Sequence, residues 1–192
     1  MPSPRRSSEQ IRAAIAQAAI DVVGAGGLGA LTHRAVAAEA EVSLSSTTYH
    51  FASRHDIIAA AIERLAVQER ERVAVIADAF EELDAAGLRD AMVAAICDEL
   101  APEDRSRLRA QYELQLYAAG DPELGALVRV WVERIVDLNT EALRVLGAPD
   151  PAVASRLLVA AIDGLRLTAL TTGEHAGGQR DVAARLLAAL TS

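Results

Sequence analysis

Apolar residues recur at spacings of three and four along most of the chain. Ile11, Ile15, Ala18, Ala19, Val22 and Val23 form one stripe beginning near Ser8, the 3.6-residue period of an amphipathic helix. The stripe stops at Gly24, and Gly24, Gly26, Gly27 and Gly29 predict a loop. Thr32 is placed to cap a short second helix through about Ala40, and Ser43 a third through about Phe51. Ser53 followed by Asp56 resembles a capping box, with Asp in place of the usual Glu or Gln. A long stripe follows: Ile57, Ile58, Ala61, Ile62, Leu65, Val73, Ile76, Phe80 and Leu83, closed by Gly87.

The remainder repeats one device. Pro102, Pro122 and Pro151 stand at first helical positions, where a missing N–H costs nothing. Asp121 and Asp150 precede two of them as N-caps, and Gly87, Gly120, Gly147 and Gly173 fall where helices end. The helical segments are about 88–100, 103–119, 122–146, 151–172 and 179–190, which makes nine with the first four. No alternating strand pattern and no sequence repeat interrupts them, so the expected fold is all-α. Residues 1–53 form the expected first domain, helix four (54–70) the link, and 71–192 a second helical domain.

Composition agrees with helices. Apolar residues make up 52% of the 192 and aromatics only 3%, with alanine about a fifth; alanine favours helix and aromatics favour strands. Cys97 is the only cysteine, so neither an internal disulfide nor a thiolate metal site is available. No uncharged apolar run nears the ~18 residues of a membrane span, and Ser7, Ser8, Glu9 and Gln10 stand where a signal peptide needs apolar residues. A soluble, cytoplasmic protein is expected.

Charge changes the picture only when divided along the chain. The net charge is -8, from 19 arginines (lysine is absent) and 27 acids, and at first sight this argues against nucleic acid. Through Arg72, however, eight arginines balance eight acids. The first 55 residues hold five arginines, four acids and three of the four histidines, and the excess of acid lies wholly beyond Arg72. A DNA-binding N-terminal part is therefore compatible with the charge.

Residues 32–51 read as helix, three-residue turn, helix. Ala35, Ala37, Ala38 and Ala40 supply the small residues that crossing helices need, and Val42 an apolar plug. On the second helix Thr47 and Phe51 face inward, whereas Ser45, Ser46 and Tyr49 share the opposite face. Such a face suits base edges and phosphates. An ordinary helical hairpin with a solvated Ser/Thr face fits the same spacing, and the spacing alone leaves both readings open. Gly24 to Gly29 also matches G-x-G-x-x-G, but it follows a helix rather than a strand, so it is a loop and not a dinucleotide site.

The stretch LTHRAVAAEAEVSLSSTTYHFASRHDII, residues 31–58, resembles the DNA-binding domain of the TetR family of bacterial transcriptional regulators. Thr32, Arg34, Val42–Ser43, Tyr49–His50–Phe51 and Arg54 carry the match, which extends to about Leu65. Two features depart from it. Glu41 stands where a glycine is frequent, at a cost of roughly 1 kcal/mol or a different turn, and Thr47–Thr48 replaces a frequent Leu-Tyr pair. The resemblance implies a three-helix helix-turn-helix domain followed by a helical ligand-binding and dimerisation domain. It places Thr32, Arg34, Thr48, His50 and Arg54 on phosphates, with Ser43, Ser45, Ser46 and Tyr49 completing the DNA-facing set. Arg5 and Arg6 form a basic arm that either tracks the DNA or merely solubilises the terminus.

In the second domain, Leu108, Tyr112, Leu116 and Ala119 form one stripe and Trp131, Ile135, Leu138 and Ala142 another. Tyr112, Gln115 and Trp131, with Met92, Ile96 and Thr168 as weaker candidates, either line a drug-sized pocket or are plain core. The last two helices are apolar nearly all round, so they need cover on both sides. By resemblance they pair with those of a second copy; Leu157, Ala161, Leu165, Leu186 and Leu190 are the expected seam, with Asp163 and Arg166 paired at or near it or within one chain. Glu-x-x-His is absent, no nucleophile–base set is visible, and Glu81-Glu82-Asp84 and Glu103-Asp104 need be no more than solvated faces or caps. Neither an enzyme nor a metal or cofactor site is expected. The resemblance implies a homodimeric repressor released from a palindromic double-stranded DNA operator by a small molecule of unknown identity. The alternative is a helical sensor or adaptor that has lost operator binding, for which Glu41 is the support.

Overall fold

A computed structural model describes residues 6–99, 105–173 and 178–192, with the backbone alone at 73, 76, 79–81 and 99. Arg5, Pro102, Glu103, Asp104 and His175 lie outside the described residues. Among these residues there are nine α-helices, one 3-10 turn and no strand: α1 Ser8–Gly26, η1 Leu28–Ala30, α2 His33–Glu39, α3 Leu44–His50, α4 Arg54–Glu81, α5 Ala85–Glu99, α6 Arg105–Ala118, α7 Pro122–Val145, α8 Pro151–Thr172 and α9 Gln179–Leu190.

Local chemistry sets most boundaries. Ser7 and Gln10 close a capping box on α1, with the Ser7 hydroxyl accepting from the Gln10 N–H and the Gln10 amide oxygen accepting from the Ser7 N–H. Ser53 and Asp56 do the same for α4, at 2.9 and 3.1 Å. Asp121 accepts from the Glu123 and Leu124 N–H groups, and Asp150 from that of Val153, each beside a proline that opens a helix. Two glycines differ from expectation. Gly87 does not close α4; it lies in the first turn of α5, its N–H donated to the Asp84 carboxylate at 2.8 Å. Gly24 does not end α1 but lies inside it, buried.

The described residues pack as two units. The first comprises residues 6–68 and 105–128, so α6 and the start of α7 group with the N-terminal helices and not with the rest of 71–192. In this unit α1 packs on α2 and α6, and α2 on α3. Ile15, Ala19, Val23, Leu31, Val36, Phe51, Ile57, Ile58, Ile62 and Leu114 are buried there. Each large apolar side chain so buried is worth about 1.5–3 kcal/mol. Gly24 is required by the α1–α6 contact, because a Cβ there would lie 2.5 Å from the Ser106 carbonyl oxygen.

The second unit comprises residues 69–99, 129–173 and 178–192. Its core joins Leu88, Met92, Val93 and Ile96 of α5, Ala142 and Leu143 of α7, Ala154 and Leu158 of α8, and Ala183 and Leu187 of α9. Buried Ser155 is satisfied by donating to the Val136 carbonyl at 2.7 Å, which ties α8 to α7. Buried Glu69 accepts from the Arg72 Nε at 3.0 Å. No described helix is long and apolar enough to cross a membrane.

Candidate nucleic-acid interface

The turn between α2 and α3 is built from backbone hydrogen bonds. Thr32 caps α2 by accepting from the Ala35 N–H at 3.1 Å. At the other end the Glu41 N–H donates to the Ala38 carbonyl at 3.2 Å and the Val42 N–H to that of Ala37 at 3.0 Å. This is a Schellman closure, which needs a left-handed residue between the helices. Glu41 takes that position with φ 55°. The sequence offered a strained residue or a different turn, and the chain adopts the strained residue.

Helix α3 starts at Ser43, whose hydroxyl accepts from the Ser46 N–H at 3.1 Å and pairs with the Ser45 hydroxyl at 2.9 Å. Thr47 and Phe51 face the core, as their spacing predicts. Ser45, Thr48 and Tyr49 are exposed and Ser46 is half-buried; Tyr49 is 84% exposed and meets the His50 ring edge-on at 5.1 Å. The Thr48 hydroxyl turns back to the Leu44 and Ser45 carbonyls at 3.1 and 3.2 Å.

Two side chains fix the end of this helix. Arg12, on α1, donates to the His50 carbonyl at 2.9 Å and lays its guanidinium 4.6 Å from the Phe51 ring centroid. A His33 ring nitrogen lies 3.1 Å from the Phe51 carbonyl. One charge-assisted bond, the His33 contact and a cation–π contact together fix the end of α3. No sequence pattern pairs Arg12 with a carbonyl 38 residues away. Leu44 on the same helix is 50% exposed, although its spacing from Thr47 and Phe51 is that of a core residue.

The arginines expected at DNA have different surroundings. Arg34 is exposed. Arg6 folds back on α2, donating to the Ala40 carbonyl at 3.3 Å. Arg54 directs its Nε to the Leu31 carbonyl at 2.9 Å and its Nη2 to that of Leu28, clamping η1 and leaving Nη1 for other partners. η1 is held from its other side by α6: Glu113 accepts from the Leu28 N–H and, at 2.8 Å, from the Arg109 Nε. Further along the same face of α6, Tyr117 lies 3.3 Å from one His55 ring nitrogen, and Asp121 beyond the helix end 3.6 Å from the other. Arg109, Glu113, Tyr117 and Asp121 thus form a ladder at four-residue spacing against η1 and the start of α4.

The other expected sites fall in both units. Tyr112 and Gln115 lie half-buried in the first unit, whereas Met92, Ile96, Trp131 and Thr168 lie in the second. Met92 and Ile96 belong to the core. Trp131 is buried with no hydrogen-bond partner for its indole N–H among the described residues, and Thr168 is exposed with its hydroxyl on the Gly164 carbonyl at 2.9 Å. Of the expected seam, Leu157 is exposed and Ala161 half-buried, but Leu165, Leu186 and Leu190 pack partly against the unit's own core. The exposed stripe of α8 runs instead through Val153, Leu157, Ala160, Gly164 and Leu167, because a 3.6-residue period drifts off a strict four-residue ladder within three turns. Arg166 and Asp163 lie 3.9 Å apart within the chain.

Comparison with known proteins places this architecture. The model of the tetracyclin repressor-like C-terminal domain matches residues 83–192, more than half of the chain. Nothing matches among curated protein sequences. Among solved structures, the multidrug binding protein EbrR complexed with ethidium is 35% identical, with TM-score 0.70 over 95% of this chain and 99% of that one. A TetR-family member from Streptomyces coelicolor A3 is 33% identical, with TM-score 0.68 over 95% and 99%. A transcriptional regulator from Rhodococcus sp. Rha1 is 25% identical, with TM-score 0.76 over 96% of both chains. With a capped, anchored helix-turn-helix at one end and this C-terminal domain at the other, the chain belongs to the TetR family of transcriptional regulators.

Proposed function

We propose that this regulator is a homodimeric repressor that leaves its operator when a small molecule binds. The exposed face of α3, held at both ends by the Glu41 turn and by Arg12 and His33, carries the reading. Two copies of α3 enter successive major grooves about 34–36 Å apart on a near-palindromic site. Thr32, Arg34, Thr48, His50 and the Nη1 end of Arg54 contact phosphates, while Ser45, Ser46 and Tyr49 face bases. Ser43 acts mainly as the cap that presents them. The exposed apolar stripe of α8 supports pairing with a second copy.

For the effector we propose organic cations. EbrR forms complexes with ethidium and malachite green, and beyond Arg72 this chain holds 19 acids against 11 arginines. Linkage requires that operator binding weaken the cation by the same factor by which the cation weakens operator binding.

Gel shift on the DNA flanking the gene tests the first part. Wild type binds a specific palindrome and Tyr49→Ala binds it at least tenfold less tightly; equal, weak binding by both refutes operator recognition. Adding ethidium or malachite green to the complex releases the DNA. Retention at saturating dye refutes the cation assignment alone.

A further inference from the structure

Helix-turn-helix proteins read guanine with Arg or Lys and adenine with Asn or Gln, through paired hydrogen bonds in the major groove. None of these four residue types occurs from Ser43 to Phe51. The hydroxyls that remain are largely engaged: Ser43 with Ser45 and the Ser46 N–H, and Thr48 with two carbonyls of its own helix. What α3 offers outward is mostly carbon. Leu44, half exposed, shares one strip with the Thr48 methyl, and Tyr49, 84% exposed, shares the adjoining strip with Ser45. A single exposed leucine carries little information; the absence of Arg, Lys, Asn and Gln from the helix is what makes this one informative.

The major-groove edges of the base pairs carry one apolar substituent, the C5-methyl of thymine. We infer that α3 specifies its operator chiefly by thymine methyl groups, seated against Leu44 and the Tyr49 ring. The inference rests on the operator-binding reading above and assigns its base specificity: half-sites marked by thymines at the positions facing these two side chains. Leu44 thereby becomes a specificity-determining residue. Its exposure contributes nothing to the core, and Ser45 and Thr48 flank it without competing for a methyl group.

The test replaces thymine by uracil, which keeps every hydrogen bond of the pair and removes only the methyl. A duplex is first selected from a random pool with the full-length protein, and each thymine is then changed singly in a fluorescence-anisotropy titration at fixed salt. At one or two thymines per half-site, uracil weakens wild-type binding about fourfold, the equivalent of roughly 0.8 kcal/mol for one buried carbon. Changing both half-sites weakens it about tenfold or more. Leu44→Ala removes the thymine–uracil difference at one of these positions and leaves phosphate-driven, non-specific binding unchanged.

Uracil tolerated at every position, while Tyr49→Ala still loses the selected duplex, overturns the inference and leaves operator binding standing. Failure to select any duplex overturns both together. The wild-type uracil scan needs no variant, so a poorly folded Leu44→Ala does not blunt the test.

Discussion

Replacing Glu41 by glycine should stabilise the protein. An L-residue in the left-handed region pays roughly 1–2 kcal/mol, and Glu41 stands there at φ 55°. Glycine removes that cost but adds about 0.5–1 kcal/mol of unfolded-chain entropy, so the net gain is about 0.5–1 kcal/mol. Because the carboxylate also lies at the C-terminal end of α2, where negative charge is disfavoured, Glu41→Gln serves as the charge control: it keeps the Cβ and should recover only the electrostatic part. The chain contains its own converse. α7 closes with the same pair of bonds, Gly147 to Arg144 and Ala148 to Leu143, around Gly147 at φ 83°. A Cβ on Gly147 meets nothing within 4 Å, so Gly147→Ala measures the backbone penalty without a clash and should cost about 1 kcal/mol. For a chain of this size, 1 kcal/mol moves the melting temperature by about 2–4 °C. Far-UV circular dichroism reads both variants, and the sole tryptophan, Trp131 in the second unit, reads Gly147→Ala separately by fluorescence. If Glu41→Gly melts no higher than Glu41→Gln while Gly147→Ala loses stability, the idea that Glu41 stores backbone strain is refuted.

Arg12→Ala loses both the bond to the His50 carbonyl and the contact with Phe51; it should cost about 1.5–3 kcal/mol and weaken specific more than non-specific DNA binding, checked by melting and by competition gel shift. Arg54→Lys keeps the charge but cannot span the Leu28 and Leu31 carbonyls, so denaturant titration should show lower stability with the salt dependence of DNA binding unchanged, because that slope counts charges at phosphates; unchanged stability would instead show that the guanidinium contributes little to holding η1. Gly24→Ala drives a Cβ against the Ser106 backbone and should destabilise by about 1–3 kcal/mol, although the same exchange inside most helices stabilises; a raised melting temperature would disprove the close α1–α6 approach. Leu157→Glu puts a charge on the exposed stripe of α8 and should give monomers by light scattering, with operator affinity falling in parallel; a dimer that persists places the seam elsewhere.

How far the sequence could be read depended on the range of the interaction. Caps act over two or three residues, so Ser43, Thr32, the Ser53–Asp56 pair, Asp121 and Asp150 could be identified without a structure. Pro151 and Gly173, which follow this logic, bounded α8 to the residue. The inward face of α3 was legible as well, because Thr47 and Phe51 lie one turn apart. Gly87 shows where this reading fails: a glycine is common at helix ends, but the Asp84 side chain, free to accept its N–H, made this one a helix start.

The amino-acid sequence by itself determined an all-α chain, a helix, turn and helix near its beginning, and which face of the second of these helices turns inward. Each follows from periodicity and from bonds between near neighbours. Only the tertiary structure decided that α6 belongs with the N-terminal helices, that Gly24 is a contact and not a stop, and that Arg12 and Arg54 hold backbone carbonyls. It likewise decided which side of α8 remains uncovered. A side chain's identity specifies what it can bind, but a guanidinium or an apolar stripe fits many partners equally well. Which partner it meets depends on segments tens of residues away, brought together by burial that is proportional to area and indifferent to sequence order.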